Sequence, residues 1–401
     1  MGSGTARLLT SGAEGMRLRT GTEPRLRRIV DIRSFPGDPL EPLITPAIDD
    51  VLVDPEIRVV VETIGGVGIA YEYTKKALMS GRHVVTSNKE LVACHGPELM
   101  ELATENGVRY LFEASVGGGI PIIHPLRVCL AANVLNGISG ILNGTTNYIL
   151  TRMEQADIPF ETALAEAQSH GFAESRPEAD IQGLDACRKL AILSSIAFGG
   201  YVRFQDIHTE GIERVDADRI ATAAIADAQV KLLAKSVRMP CGRIAASVMP
   251  TALSRRHPAS CASGVFNAIA VDGDAIGTAM FYGPGAGAMP TASAVVSDVL
   301  ECLGRDGPDP RDCWPALPEG SMMPFEEHSV QILLRLPPDG SSPLRAALEA
   351  EGVSCRSIGS DGVLLFGEDE TLTEGLLAEV IRNMDGEGAA PCWIRYVGAA
   401  G

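Results

Sequence analysis

Residues 57–89 read IRVVVETIGGVGIAYEYTKKALMSGRHVVTSNK, and the fold follows from them. Val59-Val60-Val61 is an unbroken apolar run, as expected of a strand buried on both faces of a parallel sheet, and Ile57 extends it beyond Arg58. Ile69 to Ser80 has helical spacing, and Gly81 suits a helix C-terminus. His83 to Thr86 is a second strand. Upstream, Arg28 to Ile32 is short and β-branched, with Asp31 near its end. Downstream, Gly96 to Asn106 is helical and Val108 to Glu113 is another buried strand. Strand, helix, strand at this pitch predicts βαβ units and a doubly wound α/β sheet.

The pattern changes near residue 117. Helical spacing covers Pro125 to Ala132, Phe160 to His170, Leu184 to Ala197 and Ala217 to Ser236, with strands at Gly137 to Leu142 and Val265 to Val271. This predicts a second, α+β domain. Residues 304–324, rich in Gly, Pro, Asp and Met, read as a linker. Val330 to Leu336, Leu344 to Glu351, Ser354 to Ser357, Val363 to Phe366, Leu372 to Met384 and Trp393 to Val397 then give a β-α-β-β-α-β, ferredoxin-like order.

A length of 401 residues suggests two or three domains. Lys plus Arg number 34 against 51 for Asp plus Glu, a net charge of −17, which opposes nucleic-acid and anionic-membrane binding. With 45% hydrophobic residues the chain has enough apolar content for a packed core. It holds no apolar run of membrane-spanning length and no secretory leader at Met1-Gly2-Ser3-Gly4, so a cytoplasmic protein is expected. Nine cysteines without a C-x-x-C pair read as reduced thiols. Seven histidines without paired spacing argue against a metal triad.

Several motifs carry chemistry. Thr86-Ser87-Asn88-Lys89 lies where a strand ends and a helix opens, the usual place for ligand contacts in such sheets. Lys89 there is either a contact to substrate or ribose, or an ordinary solvated lysine. Glu113-Ala114-Ser115-Val116-Gly117-Gly118-Gly119-Ile120-Pro121 offers a glutamate and exposed carbonyls suited to a hard cation, or else a plain hinge. Asn143-Gly144-Thr145-Thr146-Asn147 caps a helix or contacts a polar substrate. Glu174, Asp180, Asp185 and Lys189 fall between Gly171 and Leu190. Asp185 and Lys189 are four apart and share a helix face, either as a buried acid/base pair or as an exposed salt bridge. Gly283 to Thr291 is a glycine-rich turn before a small-residue helix.

Taken together, these blocks resemble homoserine dehydrogenase over nearly all of residues 2–303. The resemblance rests on residues 60–66, 86–89, 113–121 and 140–148, on Glu174, Asp180, Gly183, Asp185 and Lys189, and on residues 265–268 and 281–287. It implies a Rossmann-type NAD(P)-binding domain over 1–116 and a substrate and dimerisation domain over 117–303, of which 283–303 return to the nucleotide domain. A linker over 304–324 and an ACT-like regulatory domain over 325–401 complete the division. The implied activity is NAD- or NADP-dependent interconversion of L-aspartate 4-semialdehyde and L-homoserine, in threonine and methionine biosynthesis.

By that resemblance Lys189 and Lys89 are catalytic. Glu174, Asp185, Asp180 and Thr145 bind the amino-acid substrate. Gly2, Thr63, Ile64, Ser87, Lys89, Gly171 and Gly287 hold the cofactor. Glu113, by side chain or carbonyl, with the carbonyls of Val116, Gly118 and Ile120, holds a monovalent cation, sodium or potassium. A homodimer or homotetramer, and threonine as allosteric effector, are implied as well. The family opens with a strand and a G-x-G-x-x-G turn, and Gly2 aligns with the last of those glycines, so the expectation is a sheet lacking its first strand. A catalytically impaired regulatory or binding paralogue is the alternative reading. Asp31 favours NAD through a ribose hydroxyl, whereas Arg33 favours NADP through its phosphate.

Overall fold

In the first unit the strands are short and parallel. β1 (Ile29–Val30) pairs with β2 (Ile44–Thr45), and β3 (Val59–Glu62), β4 (His83–Thr86) and β5 (Tyr110–Leu111) form a second, three-stranded sheet. The computed structural model describes residues 1–401 except 306, 310, 312, 360–361, 385–391 and 399–401. The chain divides into two units, one of residues 1–132, 191–203 and 284–316, the other of 133–190, 204–283 and 317–401.

The βαβ units anticipated around residues 57–113 form. Helix Gly68–Met79 follows β3, and helix Lys89–Glu105 follows β4. The latter starts before Gly96 because the Asn88 side chain accepts from the Leu91 N–H and caps it. Helices Gly2–Ser11 and Ala288–Gly304 pack together, burying Leu9, Val295 and Val299 against Val85 and Leu111. Pro125 to Ala132 forms only a short π-type turn, Pro125–Cys129.

The second unit is built on one ten-stranded sheet. Its strands are β6 (Leu135–Ile141), β7 (His208–Thr209), β8 (Ala228–Arg238), β9 (Ile244–Ser254), β10 (Phe266–Gly273), β11 (Gly277–Pro284), β12 (Gln331–Arg335), β13 (Cys355–Ile358), β14 (Val363–Phe366) and β15 (Trp393–Val397). The order is β11-β10-β6-β8-β9-β15-β12-β14-β13, with β7 pairing β9. Ala217 to Ser236, expected as one helix, is instead the helix Ala217–Ile225 followed by β8. The break is at Asp227, whose φ of 52° lies in the left-handed region and ends the helix.

The last four strands and the helices Pro343–Ala350 and Glu374–Asn383 have the ferredoxin-like order, β15-β12-β14-β13. Ile332, Leu334, Leu344, Leu348, Phe366 and Leu377 fill their core, each fully buried apolar side chain contributing about 1.5–3 kcal/mol. This module does not stand apart. Its β15 adds in parallel to β9, Tyr396 opposite Ala252 and Val397 opposite Leu253. The described part of 304–324 is also anchored: in the first unit the Tyr201 N–H donates to Pro315 O at 2.8 Å, and in the second the Ile244 N–H donates to Ser321 O at 2.8 Å. Residues 306, 310 and 312 of that stretch lie outside the described residues, as do residues 385–391 and 399–401 of the C-terminal module. Among the described residues no helix is long and apolar enough to cross a membrane.

Candidate active site

In the second unit, β6 runs into Leu142 and Asn143, and Asn143 caps the helix Gly144–Ala156. Its Oδ1 accepts from the Thr146 N–H at 2.8 Å. Capping uses only the oxygen of the amide. The Nδ2 donates to Asp180 Oδ1 at 2.7 Å and to Asp185 Oδ2 at 2.9 Å. Of the two roles anticipated for the 143–147 motif, Asn143 performs the helix cap, and the same amide also orders two acidic side chains.

Asp185 and Lys189 stand on successive turns of the helix Leu184–Phe198. Lys189 Nζ lies 2.8 Å from Asp185 Oδ2 and donates to the main-chain oxygen of Leu142 at 2.8 Å. Their side chains are only 9% and 4% exposed, so this is the buried pair and not the surface salt bridge. Asn267 Nδ2 donates to the same Leu142 oxygen at 3.0 Å, which fixes the lysine's acceptor. Asn143, Asn267 and the Leu142 carbonyl were not singled out in the sequence as site members. Asn143 was visible as part of a quoted motif, whereas a main-chain acceptor carries no signal of its own.

Glu174 is on the exposed segment after helix Phe160–Ser169. Its main-chain oxygen accepts from Gln168 Nε2 at 3.1 Å, and its carboxylate has no hydrogen bond to the cluster among the described residues. Thr145 Oγ1 donates to Phe172 O at 2.7 Å and so ties that segment to the capped helix. Gly171 sits in the same segment with φ 73°. The unit thus gathers Asp180, Asp185, Lys189 and Asn143, and leaves Glu174 at the rim.

Of the expected cofactor residues in the first unit, Thr63 and Ile64 follow the carboxyl end of β3, and Ser87 follows that of β4. Glu62 closes β3, is 4% exposed, and accepts from the Ile64 N–H at 2.6 Å, the Gly65 N–H at 3.2 Å and Thr86 Oγ1 at 2.6 Å. Asn88 Nδ2 donates to Gly66 O at 2.6 Å, so the turns after β3 and β4 are fastened to each other. Gly2 opens the helix Gly2–Ser11, and a Cβ placed on it would stand 3.3 Å from Thr63 Oγ1. Gly287 stands at the N-cap of Ala288–Gly304. Ser87 Oγ is buried and has no hydrogen-bond partner among the described residues. A buried hydroxyl awaiting a partner and the N-terminus of the ten-residue helix Gly2–Ser11 beside Thr63 suit the polar groups and phosphates of a dinucleotide. Lys89 is the first residue of its helix, beside the Asn88 cap. Near β1, Arg33 Nε and Nη2 donate to Asp31 at 3.0 and 2.7 Å, and this guanidinium pulls the Asp31 carboxyl down to about 2.

Glu113 was expected to meet a cation by its side chain or its main-chain carbonyl. Its carboxylate accepts from three main-chain N–H groups, Ile122 at 2.6 Å, Ile123 at 2.8 Å and His124 at 2.6 Å, and so caps the turn that follows. Its N–H donates to Asp298 Oδ2 at 2.8 Å, and burial together with the nearby Glu113 charge pushes the Asp298 carboxyl well up. Among the described residues no group of three or more His, Cys, Asp or Glu side chains could hold a metal ion.

Comparison with known proteins gives a consistent result. A family model described as homoserine dehydrogenase matches residues 121–300, and one described as its NAD binding domain matches residues 2–113. A homoserine dehydrogenase from Pseudomonas aeruginosa is 38% identical over 370 residues, 89% of this chain and 85% of that protein. One from Synechocystis is 45% identical over 265 residues, and there the chain spans 61% of the relative's length. Among solved structures, a homoserine dehydrogenase from Thiobacillus denitrificans superposes with a TM-score of 0.86 at 34% identity, over 99% of this chain and 96% of that one. A hyperthermophilic archaeal homoserine dehydrogenase in complex with NADPH gives a TM-score of 0.63 at 29% identity, over 76% and 97%.

Proposed function

The chain belongs to the homoserine dehydrogenase family, oxidoreductases with an NAD-binding domain, and we propose that it interconverts L-aspartate 4-semialdehyde and L-homoserine through the Lys189 cluster. The observation that carries this is the buried ammonium of Lys189, held at 2.8 Å by both Asp185 and the Leu142 carbonyl. A bound nicotinamide coenzyme would supply the hydride acceptor for the carbinol carbon of homoserine, or the hydride donor for the aldehyde carbon. During reduction the Lys189 ammonium gives a proton to the forming alkoxide, and during oxidation the neutral Lys189 amine takes the hydroxyl proton. Asp180 and Asp185, joined by Asn143, anchor the substrate ammonium, with Glu174 approaching from the rim and Thr145 steadying that segment. Orienting the substrate this way lowers the entropy cost of hydride transfer.

Gly2, Thr63, Ile64, Ser87 and Gly287 would hold the dinucleotide, with Lys89 at its nicotinamide end. Asp31 favours NAD, and its hold on Arg33 limits the welcome for a 2′-phosphate. The carbonyls of Glu113, Val116, Gly118 and Ile120 are neutral oxygen donors, suited to sodium or potassium. The ferredoxin-like module reads as an ACT-like regulatory domain, with threonine as its effector, and the enzyme as a homodimer or homotetramer. The test is L-homoserine-dependent reduction of NAD or NADP by the purified chain, followed by nicotinamide absorbance. No homoserine-dependent turnover with either coenzyme would refute it.

A further inference from the structure

The C-terminal module reaches the proposed substrate anchors through one arginine. Arg395, on β15, has a side chain only 13% exposed and lies between two carboxylates. Its Nη1 and Nη2 donate to Glu210 at 2.8 Å each, and its Nε and Nη2 donate to Glu374 at 2.7 and 3.0 Å. Planar two-pronged pairs of this kind fix orientation as well as distance. His208 Nε2 lies 2.9 Å from Glu210 Oε1, and the His208 ring stacks on Phe325 with centroids 3.4 Å apart. One side of this strut opens on a cleft of about 440 Å³ lined in part by Trp393, over whose ring the guanidinium lies 5.5 Å from the centroid.

Glu210 continues directly into the substrate side of the unit. Its own N–H donates to Val248 O at 2.8 Å, and two residues on, the Ile212 N–H donates to Ile181 O at 2.8 Å. Between them, a Cβ on Gly211 would stand 2.4 Å from Ile181 O and 2.8 Å from Gln182 Cα, so two backbones touch there. Opposite, Gly183 has φ 80°, and a Cβ on it would meet Thr209 Cγ2 at 3.0 Å and Glu210 O at 3.2 Å. The segment so gripped, Ile181-Gln182-Gly183, is the turn between Asp180 and Asp185. Contacts between backbones have no rotamer to absorb a shift, so a displacement that reaches the Glu210 main chain would be passed to the turn between the two carboxylates.

We propose that Glu210 and Arg395 are positioning residues for the reaction: the Arg395–Glu210 pair sets the spacing of Asp180 and Asp185, which makes substrate affinity depend on how the C-terminal module is seated. This rests on the reading of Asp180 and Asp185 as substrate anchors. The test uses the full chain and the variants Glu210→Gln, Arg395→Met, their double variant, and Asp185→Asn. Glu210→Gln and Arg395→Met are expected to raise the homoserine KM by roughly 3- to 30-fold, with the coenzyme KM within about twofold of the parent. The double variant is expected to be no worse than the worse single one, because both interrupt one path. Glu210→Gln is nearly isosteric, so it answers the question even if Arg395→Met folds poorly. An unchanged homoserine KM in Glu210→Gln, or equal rises in both KM values, overturns the proposal. If Asp185→Asn leaves the homoserine KM unchanged, the anchor reading fails. If Asp185→Asn raises it and Glu210→Gln does not, only the strut fails.

Discussion

Replacing Lys189 by methionine removes the proposed acid/base and, at the same time, the partner of a buried carboxylate. The two consequences can be measured separately. Positioned proton transfer is typically worth roughly 10²–10⁴-fold, so kcat should fall by that order. Asp185, whose side chain is 4% exposed, keeps the Asn143 amide at 2.9 Å but loses the ammonium at 2.8 Å. Breaking one side of a buried pair typically costs about 3–5 kcal/mol, because a charge is left uncompensated in the interior. With a urea slope of about 2–3 kcal/mol/M, that loss lowers the unfolding midpoint by roughly 1–2 M. Adding Asp185→Asn to Lys189→Met removes the stranded charge, so the midpoint should recover most of the way while kcat stays low. Steady-state turnover and urea unfolding followed by far-UV circular dichroism give both readings on one preparation. More than about half of the parent kcat in Lys189→Met would refute the proton-transfer role. An unchanged midpoint in that variant, or no recovery in the double variant, would refute the buried-pair energetics.

Asp180→Asn and Glu174→Gln should each raise the homoserine KM by about 10-fold or more, the loss of one hydrogen bond to a charged group, and leave the coenzyme KM alone; a shift in coenzyme KM instead would misplace these residues. Asp31→Ala removes a carboxylate proposed to meet the ribose and releases Arg33 from its two-pronged hold, so kcat/KM for NADP relative to NAD should rise by about 10-fold; an unchanged ratio removes Asp31 from coenzyme selection. Lys231 is buried, with Nζ donating to Asn147 Oδ1 at 2.9 Å and Ala262 O at 2.8 Å, and burial depresses its pKa to about 8. The unfolded chain then binds the extra proton between about pH 8 and 10.4, so stability should rise with pH across that window by about 3 kcal/mol, and Lys231→Met should flatten the rise in pH-resolved urea unfolding.

What could be read from the sequence, and what could not, follows from where each interaction keeps its partners. The strands at Val59–Glu62 and His83–Thr86 were legible because Val59-Val60-Val61 and Val84-Val85 are β-branched apolar runs; Val84 and Val85 are fully buried, whereas Val59 to Val61, on the edge strand of their sheet, are half-buried. Asp185 and Lys189 were legible because four residues on a helix place side chains on one face. Ala217 to Ser236 misled because an alanine-rich run has no period that separates helix from strand, and the deciding event is a single left-handed residue, Asp227. The addition of β15 to β9 was invisible, since it depends on main-chain edges that carry no side-chain signature.

Glu113 shows the same limit at a functional residue. A glutamate beside three glycines suits a cation by composition. Its carboxylate is nevertheless taken by the N–H groups of residues 122–124, donors that every non-proline residue possesses and that no sequence pattern advertises. The lysine's second acceptor, Leu142 O, is hidden in the same way. So is the grip of Gly211 on Ile181, where the contact exists because both sides are backbone. The side chains proposed to do chemistry here are therefore readable one by one, while their spacing depends also on main-chain partners. That is why variants far from the hydride path, at Glu210 and Arg395, should alter substrate affinity without touching substrate.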